Sequence, residues 1–410
     1  MKTDFKNLIK NNMSDLHLHF DGSISYDIID KVTKMQPDKK IENWDKLTIE
    51  EKIKKLSIPP NCNSLNEYLK LFDYPCSLLQ DDNMVRIAMK MLVKKLEKQG
   101  YVYADIRFAP QLCSTELRNN FKEKTTQNEQ IQLFNHELKI VEAALKGIKD
   151  ARLDKMEANI VLCCMRNKKW DNLESENIKS NLRTIQIANL YDLLYSKENK
   201  KDFPKITRLD LAGGEEGNPN MDYKELYEEY KRKDFSQIKL TIHSGEAGTP
   251  EEKIDNLKYV INNTEANIGH GVALALAYDD NVSEDIRNQS VDLINKLAKT
   301  DRVLEICLTS NYQTKAINGI HPIVKLIMGD KCKNIASLEK NITINTDNIV
   351  ISNTSLEKEF QIFIDICKNA GLSEEKIKKY ILHLKINSIK QANMNLQKKE
   401  EIIKEIEETI

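Results

Sequence analysis

Several features that would classify this 410-residue chain at first sight are absent from it. No apolar run approaches membrane-spanning length, and the amino terminus, Met1 to Asn7, lacks the apolar core of a signal peptide. Basic and acidic residues number 62 and 63, so the net charge of −1 favours neither nucleic acid nor an anionic membrane as a partner. No G-x-G-x-x-G or Walker-type loop follows a predicted strand, so the usual nucleotide-cofactor signals are missing. We expect a cytoplasmic protein with a small-molecule partner.

Paired cysteines are also lacking. The chain has eight cysteines, but none forms a C-x-x-C motif, and most lie in apolar segments. We therefore expect buried free thiols rather than a disulfide framework or a thiolate metal site. No linker rich in proline, glycine or serine divides the sequence. We expect residues 1–410 to form one domain.

A repeated unit organises the chain: a short apolar run, then a polar loop, then a longer stretch with helical periodicity. Strands that alternate with helices indicate a parallel sheet, and eight repeats predict a closed (β/α)8 TIM barrel. The main alternative is a doubly wound open sheet. The eight predicted strands are 15–19, 101–108, 159–164, 206–211, 239–243, 266–270, 302–307 and 341–345.

Two parts of the chain exceed the simple repeat. The connection between the first two strands, about 25–100, is too long for one helix and predicts a helical insertion beside the barrel mouth, with helices at 48–56, 64–72 and 83–100. We expect its Leu69 and Phe72 to cover the substrate. The carboxyl-terminal tail predicts two extra helices, 374–392 and 397–408, packed on the outside.

Metal-ligand residue types fall at the carboxyl ends of the predicted strands. His17, His19, His243, His270 and Asp347 all lie there, and they include four of the seven histidines of the chain. In a barrel these ends meet at one rim, where such enzymes have their active sites. Three imidazoles with a carboxylate match zinc with one open coordination position. His270 either ligates the metal directly or holds the attacking hydroxide in line.

Each of these residues also has a structural interpretation. An isolated H-x-H pair is more often a surface pair or a satisfied core pair. Asp347 fits the cap of a following helix, and His270 between two glycines fits a tight turn. The joint placement of all of them at strand ends of one inferred barrel favours the metal site.

A metal-activated hydroxide needs a proton donor when it attacks an aromatic amidine. The ring nitrogen must be protonated as the nucleophile arrives, and the amine leaves with a proton, so a nearby carboxyl group can serve both steps. Glu246, three residues after His243, is the candidate. The H-x-E with P-C-x-x-C signature of cytidine-type zinc deaminases is absent, so a deamination would use barrel chemistry.

Over nearly its full length the chain resembles the adenosine deaminases of the amidohydrolase superfamily. The resemblance implies a barrel with one zinc ion per chain that converts adenosine, and usually 2′-deoxyadenosine, to inosine and ammonia in purine salvage. Seven collinear motifs carry it: HLHFDGS at 17–23, DIRFAP at 105–110, LCCMR at 162–166, DLAG at 210–213, HSGE at 243–246, GHG at 269–271 and NTD at 345–347.

The resemblance also implies residue roles. The zinc ligands would be His17, His19, His243 and Asp347, and the catalytic residues would be Glu246 as the proton shuttle to purine N1, His270 as the residue that orients the hydroxide, and Asp347. The substrate-binding residues would be His19, Asp21 as acceptor of the ribose 5′-hydroxyl, Gly213 as backbone donor to purine N3, and Asn348. Adenine deaminases of this group tend to have Glu at the position of Asp21, so Asp21 favours a nucleoside over a free base.

Two positions depart from the usual pattern. Asn348 stands where better-known members have Asp against purine N7, and an amide donates a hydrogen bond at any pH whereas a carboxyl group must be protonated. Asp105 stands where the family usually has Glu, and we interpret Asp105 and Arg107 as a buried ion pair. Two rival functions remain: a deaminase of another 6-aminopurine (adenine or a 5′-modified adenosine), and a non-catalytic, metal-stabilised binding protein.

Overall fold

A single parallel sheet forms the centre of the molecule. The computed structural model describes residues 5–59, 62, 65–122, 125–166, 175–198 and 204–409. Within these residues eight parallel strands pair in chain order, each with the next. The strands are β1 (Met13–His19), β2 (Tyr101–Phe108), β3 (Glu157–Met165), β4 (Ile206–Ala212), β5 (Lys239–Ser244), β6 (Asn267–His270), β7 (Leu304–Ile306) and β8 (Ile342–Ile344).

The residues after β8 return to β1 and nearly close the sheet. Leu18 and Asp347 form a parallel bridge. The backbone N–H of Asp347 donates to the carbonyl of His17 at 2.8 Å, and the N–H of His19 donates to the carbonyl of Asp347 at 2.7 Å. The predicted (β/α)8 barrel is confirmed, and its closure already brings Asp347 beside two of the histidines.

Helices surround the barrel, and none of the described helices is both long and apolar enough to cross a membrane. In chain order they are α1 (Phe5–Lys10), α2 (Tyr26–Thr33), α3 (Ile49–Leu56), α4 (Leu65–Leu69), α5 (Asp73–Leu78), α6 (Asp82–Lys98), α7 (Thr115–Asn119), α8 (Gln127–Ala151), α9 (Glu176–Glu198), α10 (Lys224–Lys233), α11 (Pro250–Asn263), α12 (Glu284–Leu297), α13 (Leu308–Gln313), α14 (Ile323–Met328), α15 (Leu356–Asn369), α16 (Glu374–Gln391) and α17 (Leu396–Glu407).

The predicted insertion between β1 and β2 is confirmed as a group of helices, α2 to α6. Helix α3 begins at a capping box in which Thr48 and Glu51 satisfy each other's backbone N–H groups. The prediction for 64–72 corresponds to α4 and a following 3-10 turn, Lys70–Phe72; residue 64 lies outside the described residues. Helices α2 and α5 were not predicted; α5, with six residues, is too short for a clear helical periodicity.

The carboxyl-terminal tail was predicted to pack on the outside of the barrel. This prediction is incomplete, because α16 covers the amino-terminal end of the barrel. The Ser388 hydroxyl donates to the carbonyl of Ser14 in β1 at 3.0 Å, and the Asn387 amide donates to the carbonyl of Ile342 in β8 at 2.9 Å. This end needs an apolar cover. The cluster that provides it includes Leu16, Tyr103, Leu382, Ile386, Ile389, Ile402 and Ile406. The opposite end stays open for ligands.

Candidate active site

Four of the predicted metal ligands converge at the carboxyl ends of β1 and β5 and beyond β8. His17 Nε2 lies 3.1 Å from His243 Nε2, and His19 Nε2 lies 3.3 Å from the same atom. Asp347 Oδ1 is 3.7 Å from His17 Nε2 and 3.4 Å from His19 Nε2. The ligand atoms of His17, His19, His243 and Asp347 all lie within 4.8 Å of one another, as a common cation requires.

Two carboxylates set the orientation of the histidine rings. His17 Nδ1 lies 3.0 Å from Glu305 Oε2, and His243 Nδ1 lies 3.1 Å from Asp210 Oδ1. A carboxylate partner places the ring proton on Nδ1 and leaves the Nε2 lone pair free to bind a metal. Burial alone would raise the pKa of Asp210, but His243 and Arg107 outweigh it and hold the pKa below its usual range.

The donor set fits a divalent cation. Burial lowers the pKa of His17 and His19 well below the usual value, which favours neutral rings. Burial also opposes the charged form of His243, but Asp210 outweighs it, and the pKa of His243 is raised. With the ring protons of His17 and His243 on Nδ1, their Nε2 lone pairs face one another at 3.1 Å, and a cation between them would stabilise this arrangement. The cluster is therefore a possible metal site.

Glu246 and His270 lie next to this cluster. Glu246 Oε2 is 3.7 Å from His270 Nε2, and the Thr314 hydroxyl lies 3.5 Å from Glu246 Oε1. Burial raises the pKa of Glu246, which favours the protonated carboxyl group. The Asn311 amide donates to His270 Nδ1 at 3.1 Å, so the ring proton belongs on Nε2. His270 lies outside the four-residue cluster and joins Cys307 and Asp347 in a second group of metal-type donors.

Glu215, which the sequence analysis did not single out, holds the loop that carries Glu246. Its carboxylate accepts the backbone N–H groups of Gly245 at 2.8 Å, Glu246 at 2.7 Å and Ala247 at 3.2 Å. Gly245 has a φ of +71°, and a Cβ there would lie 2.9 Å from Ala273 Cβ. The loop geometry therefore depends on a buried carboxylate thirty residues away. Its signal in the sequence is an acidic pair, Glu215 and Glu216, after the glycines that follow β4.

A cavity of about 540 Å³ opens above the cluster, within the range of small-molecule sites. His19, His243, His270, Glu246 and Asp347 form part of its lining. The predicted substrate-binding residues Asp21, Gly213 and Asn348 also line it, as do Leu69 and Phe72 of the insertion. The Phe72 ring lies 6.4 Å from the His19 ring, centroid to centroid. The lining therefore contains every sequence-predicted site residue except His17, which is fully buried.

Asp21 and Asn348 are both buried in the cavity wall. Asp21 Oδ1 accepts the backbone N–H of Gly22 at 3.0 Å, and its Oδ2 lies 3.6 Å from the Cys76 thiol. Asn348 Oδ1 has no hydrogen-bond partner among the residues that the structure describes. Gly213 adopts a φ of +99°, a backbone conformation that favours glycine.

The predicted ion pair between Asp105 and Arg107 is wrong. Among the described residues, Arg107 pairs instead with Asp210 at 2.8 Å and with Glu305 at 2.9 Å. Asp105 accepts the Tyr103 hydroxyl at 2.6 Å and the Thr207 hydroxyl at 3.0 Å. Side chains two positions apart on a strand share a face but lie in successive layers, so each pairs with neighbouring strands at its own height.

The family model described as adenosine deaminase matches residues 13–409. The chain belongs to the adenosine deaminase family. It is 29% identical over 401 residues to an adenosine deaminase of Haemophilus ducreyi, which covers 96% of this chain and 95% of that protein. It is 31% identical over 412 residues to an adenosine deaminase of Clostridium botulinum, which covers 98% of this chain and all of that protein.

Solved structures share the fold of this adenosine deaminase family member. An N6-mAMP deaminase of Arabidopsis has a TM-score of 0.64 at 19% identity and covers 98% of this chain and 99% of its own. An adenine deaminase of Arthrobacter aurescens has a TM-score of 0.67 at 17% identity, with coverages of 97% and 99%. An amidohydrolase of Burkholderia ambifaria, solved with bound Zn, has a TM-score of 0.65 at 13% identity, with coverages of 98% and 92%.

Membership of the adenosine deaminase family makes the protein a hydrolytic deaminase of adenosine-like purines. The prediction of an enzyme is confirmed, and the rival interpretation as a non-catalytic binding protein finds no support.

The residues that support the site were not predicted from the sequence. They are Asp210 and Glu305, which pair with Arg107, and Glu215, whose carboxylate holds the loop of Glu246. Their signal was present, because a charged residue inside an apolar strand, as in Leu209-Asp210-Leu211, must be paired when it is buried.

Proposed function

We propose that the protein is a zinc-dependent adenosine deaminase that converts adenosine, and 2′-deoxyadenosine, to inosine and ammonia in purine salvage. One observation carries the proposal. The Nε2 atoms of three histidines and a carboxylate oxygen of Asp347 converge at the base of a cavity whose wall also holds Glu246. Three nitrogen donors and one oxygen donor, with room for a further ligand, form a set that suits zinc. We propose one zinc ion per chain, held by His17, His19, His243 and Asp347.

Zinc held by His17, His19, His243 and Asp347 would supply a nucleophile, because the ion lowers the pKa of a bound water to about 7. The raised pKa of Glu246 favours its protonated carboxyl group, which would donate to ring nitrogen N1 as the attacked carbon becomes tetrahedral. The carboxylate so formed would take up the proton of the attacking oxygen and pass it to the amino group, which leaves as ammonia. His270, with its proton on Nε2 and its other nitrogen held by Asn311, orients the attacking oxygen.

The rest of the cavity suits a nucleoside. Asp21 would accept the ribose 5′-hydroxyl, the backbone N–H of Gly213 would donate to purine N3, and the Asn348 amide would donate to N7. Leu69 and Phe72 would cover the base and exclude water, which strengthens the polar contacts beneath them. Relatives about 30% identical over nearly the whole chain are adenosine deaminases, which supports adenosine over other 6-aminopurines.

Ammonia release from a panel of purines tests this function. Adenosine and 2′-deoxyadenosine should be turned over, adenine and adenosine 5′-monophosphate much more slowly, and a chelator should abolish activity that zinc then restores. Activity on adenine without activity on adenosine would favour a free-base deaminase and overturn the proposal. Turnover that survives complete removal of metal, measured by mass spectrometry of the metal content, would reject the zinc site.

A further inference from the structure

We propose that Arg107 is a positioning residue of the metal site, because its guanidinium locks together the two carboxylates that orient His17 and His243. The inference rests on the proposed metal ligands. In this proposal one buried side chain couples the positions of two metal ligands, His17 on β1 and His243 on β5. Among the described interactions, Arg107 makes no hydrogen bond or ion pair with a proposed ligand side chain, and it reaches the two rings through Asp210 and Glu305.

The contacts of Arg107 reach three strands at once. Its Nη1 donates to Asp210 Oδ2 at 2.8 Å, and its Nη2 donates to Glu305 Oε2 at 2.9 Å. Nη2 also donates to the carbonyl of Leu16 at 2.6 Å, the residue before His17. The side chains of Arg107, Asp210 and Glu305 are all fully buried. The guanidinium therefore ties β1, β4 and β7 together directly below the histidines.

The oxygen atoms that Arg107 binds are those that the histidines use. Glu305 Oε2 receives both Arg107 and His17 Nδ1, and Asp210 Oδ2 receives Arg107 and lies 3.0 Å from His243 Nδ1. A shift of either carboxylate therefore turns an imidazole. Two buried anions without a cation between them would also repel each other and lose their preferred positions. The planar guanidinium of Arg107 fixes the positions of both carboxylates and also screens their mutual repulsion.

Lysine cannot reproduce this bridge. The guanidinium is a rigid fork that reaches two carboxylates in fixed directions, whereas an ammonium group is a compact charge on a flexible stem. Arg107→Lys should therefore preserve the charge but release one carboxylate. Loss of a partner that orients a ligand typically costs 10- to 100-fold in metal affinity, and we expect about that change in zinc release.

Arg208 provides a matched control. It is also buried in the barrel and also pairs with Glu305, but through Nη1 to the other oxygen, Oε1, at 3.1 Å. That oxygen also accepts the Thr241 hydroxyl at 3.1 Å, so it keeps a partner in Arg208→Lys. Arg208 makes no contact with Asp210 among the described interactions.

The experiment measures zinc release from the native protein, Arg107→Lys and Arg208→Lys with a chromogenic chelator, together with the urea midpoints of the metal-free proteins. We expect release at least about tenfold faster from Arg107→Lys and within about threefold of native from Arg208→Lys. A purely structural role would lower the urea midpoint of metal-free Arg107→Lys without faster release from the folded protein, and that result would overturn the inference. Native protein that binds no zinc would instead reject the proposed function.

A second measurement covers the case in which Arg107→Lys does not fold. Zinc affinity is compared among Asp210→Asn, Glu305→Gln and the double variant, all of which keep Arg107. Because both carboxylates hold the same guanidinium, the two losses should be non-additive, whereas independent sites would add. Additive losses would contradict the coupling.

Discussion

Asp21 offers the sharpest test of substrate recognition, because it separates a nucleoside from its analogue without the 5′-hydroxyl. Among its described contacts, one carboxylate oxygen accepts the Gly22 N–H at 3.0 Å, and the other lies 3.6 Å from the Cys76 thiol. An ionised carboxylate has about four acceptor positions, so lone pairs remain for a ligand in the cavity. Asp21 is only 8% exposed, and a hydrogen bond formed there is well shielded from water.

The expected loss follows from this geometry. A hydrogen bond to a charged group contributes about 1.5–3 kcal/mol, which corresponds to about 10- to 150-fold in kcat/KM. The Asp21→Ala change opens into the cavity, so packing loss adds little. We therefore expect kcat/KM for adenosine to fall about 10- to 150-fold, and kcat/KM for 5′-deoxyadenosine, which lacks the hydroxyl group, to change by less than about threefold.

The assay is a cycle of two proteins and two substrates, followed by ammonia release at steady state. Asp73→Ala serves as the control, because Asp73 is an exposed carboxylate on the same cavity wall and should affect both substrates alike. An equal loss with both substrates in Asp21→Ala would show that Asp21 acts on the site as a whole and would refute its role as the acceptor of the 5′-hydroxyl.

Three further predictions concern protonation, metal and stability. Glu246→Gln should retain zinc but lose about 10²- to 10⁴-fold in kcat, and a near-native kcat would remove Glu246 from the proton transfers. Asp347→Ala should lose both metal and activity in paired measurements of the two, so a fully metallated, active variant would contradict its assignment as a ligand. Burial raises the pKa of Glu359 to about 7, so its contribution to the free energy of unfolding is complete below its unfolded pKa of about 4.3 and is lost as the pH rises through about 7. Glu359→Gln should therefore raise the urea midpoint more at pH about 8 than at pH about 5, and an equal change at both would refute the shift.

The barrel could be predicted because apolar runs and their spacing report directly on parallel strands. The ends of the strands were less accurate. Residues 302–307 and 341–345 were predicted as strands, yet β7 and β8 are three residues each. Two residues predicted to lie in these strands form side-chain hydrogen bonds instead. The Arg302 guanidinium donates to the carbonyl of Val260, and the Asn341 amide donates to the carbonyl of Thr300. The hydrogen bonds with adjacent strands decide where a strand ends, and the sequence of one segment does not show which residues of its neighbours it will pair with.

The metal-type cluster could be predicted for a different reason. Closure of a barrel brings all carboxyl ends of strands to one rim, so residues at strand ends become neighbours whatever their separation in the chain. The residues beneath the rim have no such rule. Asp210 and Glu305 lie in the middle of strands, and which cation each one meets depends on the height of its layer. That dependence explains why Arg107 was assigned the wrong carboxylate although the presence of a buried ion pair was foreseen.

Gly22 and Asn348 lie so close together that the residue at one position restricts the residue at the other. From the sequence alone, Asn348 is predicted as a donor to the purine, and Gly22 is part of a motif. In the structure a Cβ at residue 22 would lie 1.8 Å from Asn348 Oδ1, so glycine is required there by the close approach of the amide. Tyr68 of α4 lines the same cavity, and its hydroxyl lies 2.6 Å from the Ser352 hydroxyl. Asn348 Oδ1 accepts no hydrogen bond from the described residues.

The amide nitrogen of Asn348 carries two N–H groups that can donate at any pH. A carboxyl group in the same place carries at most one proton and donates only while it holds that proton. The wall already contains Asp21 and Asp347, and a further ionised carboxylate would add repulsion in a buried space. An amide at residue 348 would therefore serve the proposed contact with purine N7 without adding a negative charge to this wall.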